Sequence, residues 1–172
     1  DRGELKAARQ RLAALDASVR KQLSLSEDDT RLRETLVAVL RERTVVEAAL
    51  GERQRALEMA NAACEASGSL AAMDSDNLLW QSNHAGALTT RARLRAEGAP
   101  PRPDAAASSE FEAQRERMLK LAVRAPGSTF AVLAAADAQR LGGDLARGDP
   151  EIAAEHWRRG LDVLPSTADQ RT

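Results

Sequence analysis

Two histidines, one cysteine and a few serines carry whatever covalent chemistry this sequence could perform. Glu155-His156 has no second histidine one helical turn away, which a zinc site of the hydrolytic type requires. His84 and His156 therefore read as surface or groove residues. Cys64 sits among alanines and reads as a small buried hydrophobe. A lone cysteine forms no internal disulfide, so it does not decide the redox compartment. Ser18-Val-Arg-Lys21 has the spacing at which a lysine activates a serine nucleophile, and Ser75-Asp76-Asn77 has the form of the motif that faces it across a pocket. That chemistry also needs a Lys-Thr-Gly strand, which does not occur, and nothing in the chain reads as a sheet. Ser75-Asp76-Asn77 is equally a good helix cap. Gly142-Gly143 does not follow a strand, and no phosphate-cradling glycine pattern appears. No residue is assigned to catalysis, a cofactor or a metal, and the chain is expected not to be an enzyme.

Binding residues are the other possibility. The chain has 25 basic and 26 acidic residues, so its net charge of −1 offers no field for nucleic acid or an acidic membrane. Arg91, Arg93 and Arg95 alternate around a helix end, where cations suit the dipole, and no aromatics interleave them. Arg147-Gly148-Asp149 spells an integrin-type tripeptide but falls in a turn. Trp80 and Trp157 are interface-type residues, yet their spacing suits packing between helical hairpins. No run approaches the ~18 apolar residues that span a bilayer, so no membrane insertion is expected. Asn61, Gln81, Asn83 and Arg91 are polar positions on otherwise apolar helices, and they are the candidate partner contacts.

These residues must be positioned by helices. Aromatics are 2% of the chain, and alanine, leucine, arginine and glutamate dominate, which favours helix over sheet. A first helix reads from Glu4 to Leu23, with Leu5, Ala8, Leu12, Leu15 and Val19 on one stripe at coiled-coil spacing. Ser26 with Glu27-Asp28-Asp29 opens a second, in which Asp29 and Arg33 form an i,i+4 pair. Gly51 breaks it. A third runs to Ala66, with Ala56, Ala60 and Ala63 as a small-residue face, and Gly68-Ser69 weakens helix beyond it. A fourth runs from Leu78 to Glu97. The segment 98–107, rich in proline, is a loop. Ser108 or Ser109 caps a fifth helix, which carries Phe111, Met118, Leu119 and Ala122 inward. Ser128 opens a sixth, and Glu151–Val163 forms a seventh, stopped by Pro165. Breaks near Asp76, Pro126 and Pro165 set a helix–turn–helix rhythm of solenoid-like period.

The last hairpin carries a family pattern. Leu141-Gly142 with Leu145, followed by Ala153, Trp157, Gly160 and Pro165, resembles a tetratricopeptide repeat whose connection is one residue short. Gly51, Ala56, Ala60 and Ala63 resemble a degenerate repeat, and Asp74–Gly98 looks like repeat boundaries in the helical arrays of large bacterial signalling proteins, including membrane-anchored kinases. The two serine fragments are similar to those of serine penicillin-recognising enzymes, but the chain is too short for that fold. The tetratricopeptide resemblance implies stacked antiparallel helical hairpins, small residues where helices cross, an aromatic between hairpins, and a concave face that binds a protein or peptide. The chain is then expected to be an all-α array of about seven helices. Residues 1–25 would be a linker or coiled-coil helix and 26–172 the repeat domain. It would serve as a scaffold or regulatory module of a larger, extracytoplasmic or cytoplasmic bacterial protein, able to pair with a second copy. The other reading is a helical ligand-sensing domain of a membrane-anchored signalling protein.

Overall fold

The computed structural model describes residues 1–96, 105–125, 127–146 and 149–164. Among these there is no strand, and turns join seven helices: α1 (Arg2–Leu23), α2 (Thr30–Ala49), α3 (Arg53–Met73), α4 (Leu78–Ala96), α5 (Ala105–Arg124), α6 (Thr129–Leu145) and α7 (Pro150–Val163). Residues 97–104, Pro126, Arg147, Gly148 and Pro165 lie outside the described residues, as do the side chains of Phe111, Phe130 and Leu145.

Local chemistry sets the helix ends. The Asp1 carboxylate accepts from Gly3 N at 2.8 Å and caps α1. Asp29, not Ser26, caps α2, with its carboxylate accepting from Arg31 N and Leu32 N. Arg33 therefore does not pair with Asp29; it donates instead to the Glu27 carbonyl at 2.7 Å. Gly51, the one described residue with positive φ, at 81°, turns the chain from α2 into α3. The third helix continues past Gly68-Ser69 to Met73, and the sixth past Gly142-Gly143 to Leu145. In both, close packing outweighs the weak helix propensity of glycine. Likewise, α5 begins at Ala105, ahead of the serines expected to cap it.

Contacts divide the chain into residues 1–94 and 95–172. In the first unit, α1 runs antiparallel to α2 and α3 antiparallel to α4, and α4 lies parallel to α2. The pairs Arg9–Glu47 and Asp16–Arg43 fix the first relation. Arg53 donating to the Leu94 carbonyl, and Gln81 to the Ala71 carbonyl, fix the second. Trp80–Glu34 and Arg41–Asn83 fix the third. This is the order of successive antiparallel hairpins. Val19, Leu36, Leu40, Ala63, Cys64, Ala87 and Leu88 form one core drawn from all four helices. α1 is thus part of this unit, not a separate linker. Its buried side is also turned from the expected stripe: Asp16 is 6% exposed, whereas Leu15 is 45% exposed. In the second unit, Met118 of α5 and Ala131, Ala135 and Leu141 of α6 are buried.

Candidate partner-binding surface

The α6–α7 hairpin is built on glycine. A Cβ on Gly143 would lie 2.2 Å from Trp157 Nε1, and one on Gly142 would lie 3.0 Å from His156 Nδ1. On the other helix, a Cβ on Gly160 would come within 3.4 Å of the Ala136 carbonyl oxygen. The two helices are therefore close enough that a side chain at Gly142 or Gly160 would need its neighbour to give way slightly, and one at Gly143 would need the Trp157 ring to move. Trp157 lies against α6 of its own hairpin and is still 42% exposed, so it is a surface residue rather than a buried spacer between hairpins.

Trp157, Leu161 and Leu164 follow one another at helical i, i+4, i+7 spacing, and the two leucines are 69% and 39% exposed. Trp157 and Leu161 make an apolar edge on α7, and the C-cap residue Leu164, in extended backbone, continues it past the helix end. The outer face of α7 is ionic. The Glu155 carboxylate accepts from Arg158 and from Arg159, the latter at 2.7 Å, and these bonds hold its pKa below the ordinary value.

Beneath the hairpin lies a polar cluster. Gln139, wholly buried, accepts through Oε1 from Arg115 Nη1 at 2.9 Å and contacts His156 Nδ1 at 3.2 Å. Arg115, 9% exposed, also donates to Glu112 at 2.8 Å. Burial first, and then the neighbouring Arg115 cation, push the His156 pKa down. Gln139 thus links all three helices of the unit. Sequence reasoning misses Glu112, Arg115 and Gln139, because no spacing marks them.

No known protein-family model, curated protein or solved structure matches this chain. Its residues alone carry the functional reading.

The four polar positions chosen from sequence do not converge. Gln81 is wholly buried and donates to the Ala71 carbonyl at 2.7 Å, closing the end of α3, so it has no surface to present. Asn83, two residues on and on the opposite side of α4, accepts from Arg41 at 2.9 Å. Asn61 and Arg91 are half-buried on α3 and α4. The serine motifs are equally dispersed. Ser18 and Lys21 are exposed on α1, and Asn77 accepts from Trp80 N at 3.2 Å as a cap for α4. Asp149 caps α7, accepting from Ile152 N at 3.2 Å, which is the turn role read for its tripeptide.

One serine–histidine pair does form, between Ser67 Oγ and His84 Nδ1 at 3.1 Å. Ser67 is 1% exposed and donates to the Ala63 carbonyl at 2.6 Å, so no substrate reaches that hydroxyl. His84 packs over Gly68, whose added Cβ would lie 3.1 Å from its ring. The pair fastens α4 to α3. Among the described residues no group of three or more histidine, cysteine, aspartate or glutamate side chains could hold a metal ion, and no helix is long and apolar enough to cross a membrane.

Proposed function

We propose that this chain is a protein- or peptide-binding module of a larger bacterial scaffolding or signalling protein, and that α7 presents its binding edge. The observation that carries this reading is the pair of exposed residues Trp157 and Leu161 on α7, continued by its C-cap Leu164, beside the face on which Gly160 packs against α6. A large aromatic and aliphatic side chains held on a rigid helix supply contact area at little entropic cost, as interface anchors do. The flanking Arg158 and Arg159, tied to Glu155, would form the polar rim of such a site. The partner fitting this edge is an amphipathic helix or extended peptide with two or three apolar anchors.

The test is selection of peptides from a displayed library on the intact chain, followed by affinity measurement on variants. Selected peptides should lose binding to Leu161→Glu and Trp157→Ala and keep it with Asn61→Ala or Arg91→Ala. Peptides that bind Leu161→Glu as well as the native chain, or a library that yields no binders, would overturn the proposal.

A further inference from the structure

The three methionines of the chain stand in different surroundings. Met118 is wholly buried, and Met59 is half-buried against the core of the first unit. Met73, the last residue of α3, is 52% exposed. Its thioether faces a cation: Arg33 Nη1 donates to Met73 Sδ at 3.7 Å, within the longer reach of a sulfur acceptor. That guanidinium is itself fixed. Its Nε and Nη2 both donate to the Glu27 carbonyl, at 2.9 and 2.7 Å, which sets its plane and aims Nη1 at the sulfur. Three segments therefore meet at Arg33: the turn before α2, the first turn of α2 and the end of α3.

A thioether sulfur is a weak acceptor for such a donor. One added oxygen changes that. Methionine sulfoxide is a polar group, and a bond from a guanidinium to its oxygen is charge-assisted. In a core, oxidation forces a polar group into apolar packing. At Met73 the same change gives Arg33 a stronger acceptor in the place where its free arm already points.

We propose that Met73 is an oxidative modification site whose sulfoxide is received by Arg33, so that oxidation fastens the end of α3 to the start of α2. The co-reactant is hydrogen peroxide. The sulfur lone pair turned away from Arg33 attacks one peroxide oxygen, and the S–O bond forms as the O–O bond breaks. The proton on the attacked oxygen passes to the departing hydroxide, which leaves as water. Sulfur loses two electrons and the peroxide gains them. Rotation about the unbranched side chain then brings the new oxygen to Nη1. The site lies in the first unit and is independent of the α7 edge.

Graded hydrogen peroxide on the intact chain, followed by proteolytic mass mapping, tests the first half. Met73 should gain its oxygen roughly tenfold or more faster than buried Met118, and ahead of Met59, because susceptibility follows exposure. Met59 or Met118 reacting as fast as Met73 overturns the site. Native-state hydrogen exchange over residues 70–73 tests the second half. Oxidation should raise protection there on the order of fivefold, and methionine sulfoxide reductases acting on both epimers should reverse it. In Arg33→Ala, where alanine keeps the helix, the gain should vanish. Met73→Leu should show no response to peroxide at these amides. Protection that stays level or falls when the native chain is oxidised overturns the inference. So does a gain of equal size in Arg33→Ala, or one that persists in Met73→Leu.

Discussion

Replacing Gly143 with alanine should destabilise the second unit, against the usual sign of that change. In an ordinary helix interior, alanine is better than glycine by about 1 kcal/mol. Here the new methyl would lie 2.2 Å from Trp157 Nε1 and 2.4 Å from Cδ1, so the indole must leave its seat. Trp157 is 42% exposed, so somewhat more than half of its surface is covered. For a large aromatic that is on the order of 120 Å², or about 3 kcal/mol at ~25 cal/mol per Å². Set against the propensity gain, the expected net loss is about 2 kcal/mol. Removing the indole first reverses the sign. In a Trp157→Ala background, the same Gly143→Ala change meets no ring and should stabilise by about 1 kcal/mol, giving a coupling near 3 kcal/mol. Native-state hydrogen exchange of α6 amides reads the opening free energy of this hairpin directly. Equal destabilisation in both backgrounds, or stabilisation in the native one, would refute the reasoning.

The His156 pKa is held below the ordinary value near 6.5 by burial and by Arg115, with Glu112 and Glu155 opposing the shift and Arg159 adding to it. The unfolded chain therefore takes up a proton first as pH falls through 6.5, and stability contributed by the neutral ring is full above that value and declines below it. The urea midpoint of the second unit should fall between pH 7.5 and 5.5, and His156→Gln should flatten that slope; an unchanged slope would show that other groups set it. In the first unit, Asp16→Ala should cost about 3 kcal/mol, because it strips Arg43 of its buried partner, while Arg20→Ala should cost well under 1 kcal/mol, since Arg20 is 53% exposed. Thermal unfolding of the two variants makes the comparison, and equal costs would mean that Asp16 is not held by Arg43.

Much of the helical plan was legible because it is local. Alanine and leucine periodicity, the Gly51 turn, the Ser128 cap and the Asp149-Pro150 start are short-range signals, and each marks an observed boundary. What was not legible is set by neighbours distant in sequence. Gly68 and Gly142 read as breaks because nothing nearby announces that an imidazole will lie on each. The rotation of α1 by one residue, from Leu15 inward to Asp16 inward, depends on Arg43 at a distance along the chain that no period reveals. Gln81 looked like a polar contact for a partner, but a polar residue on an apolar helix can equally close a neighbouring helix end, and here it does. The Arg115–Gln139–His156 cluster joins three helices and has no one-dimensional signature.

The glycine seats also constrain how this sequence can change by descent. Each close approach is shared between a residue with no side chain and a large ring: Gly68 with His84, Gly142 with His156, Gly143 with Trp157. The two members cannot be altered in either order. If the ring shrinks first, the hairpin loses packing but remains closed, and the glycine is then free to become alanine and recover helix propensity. If the glycine changes first, the ring must shift, slightly at Gly68 and Gly142 and out of its seat at Gly143. Related sequences should therefore show small residues opposite small residues, or rings opposite glycine. They should rarely show a ring opposite alanine, and this directional rule would make the hairpin recognisable after most of its surface has diverged.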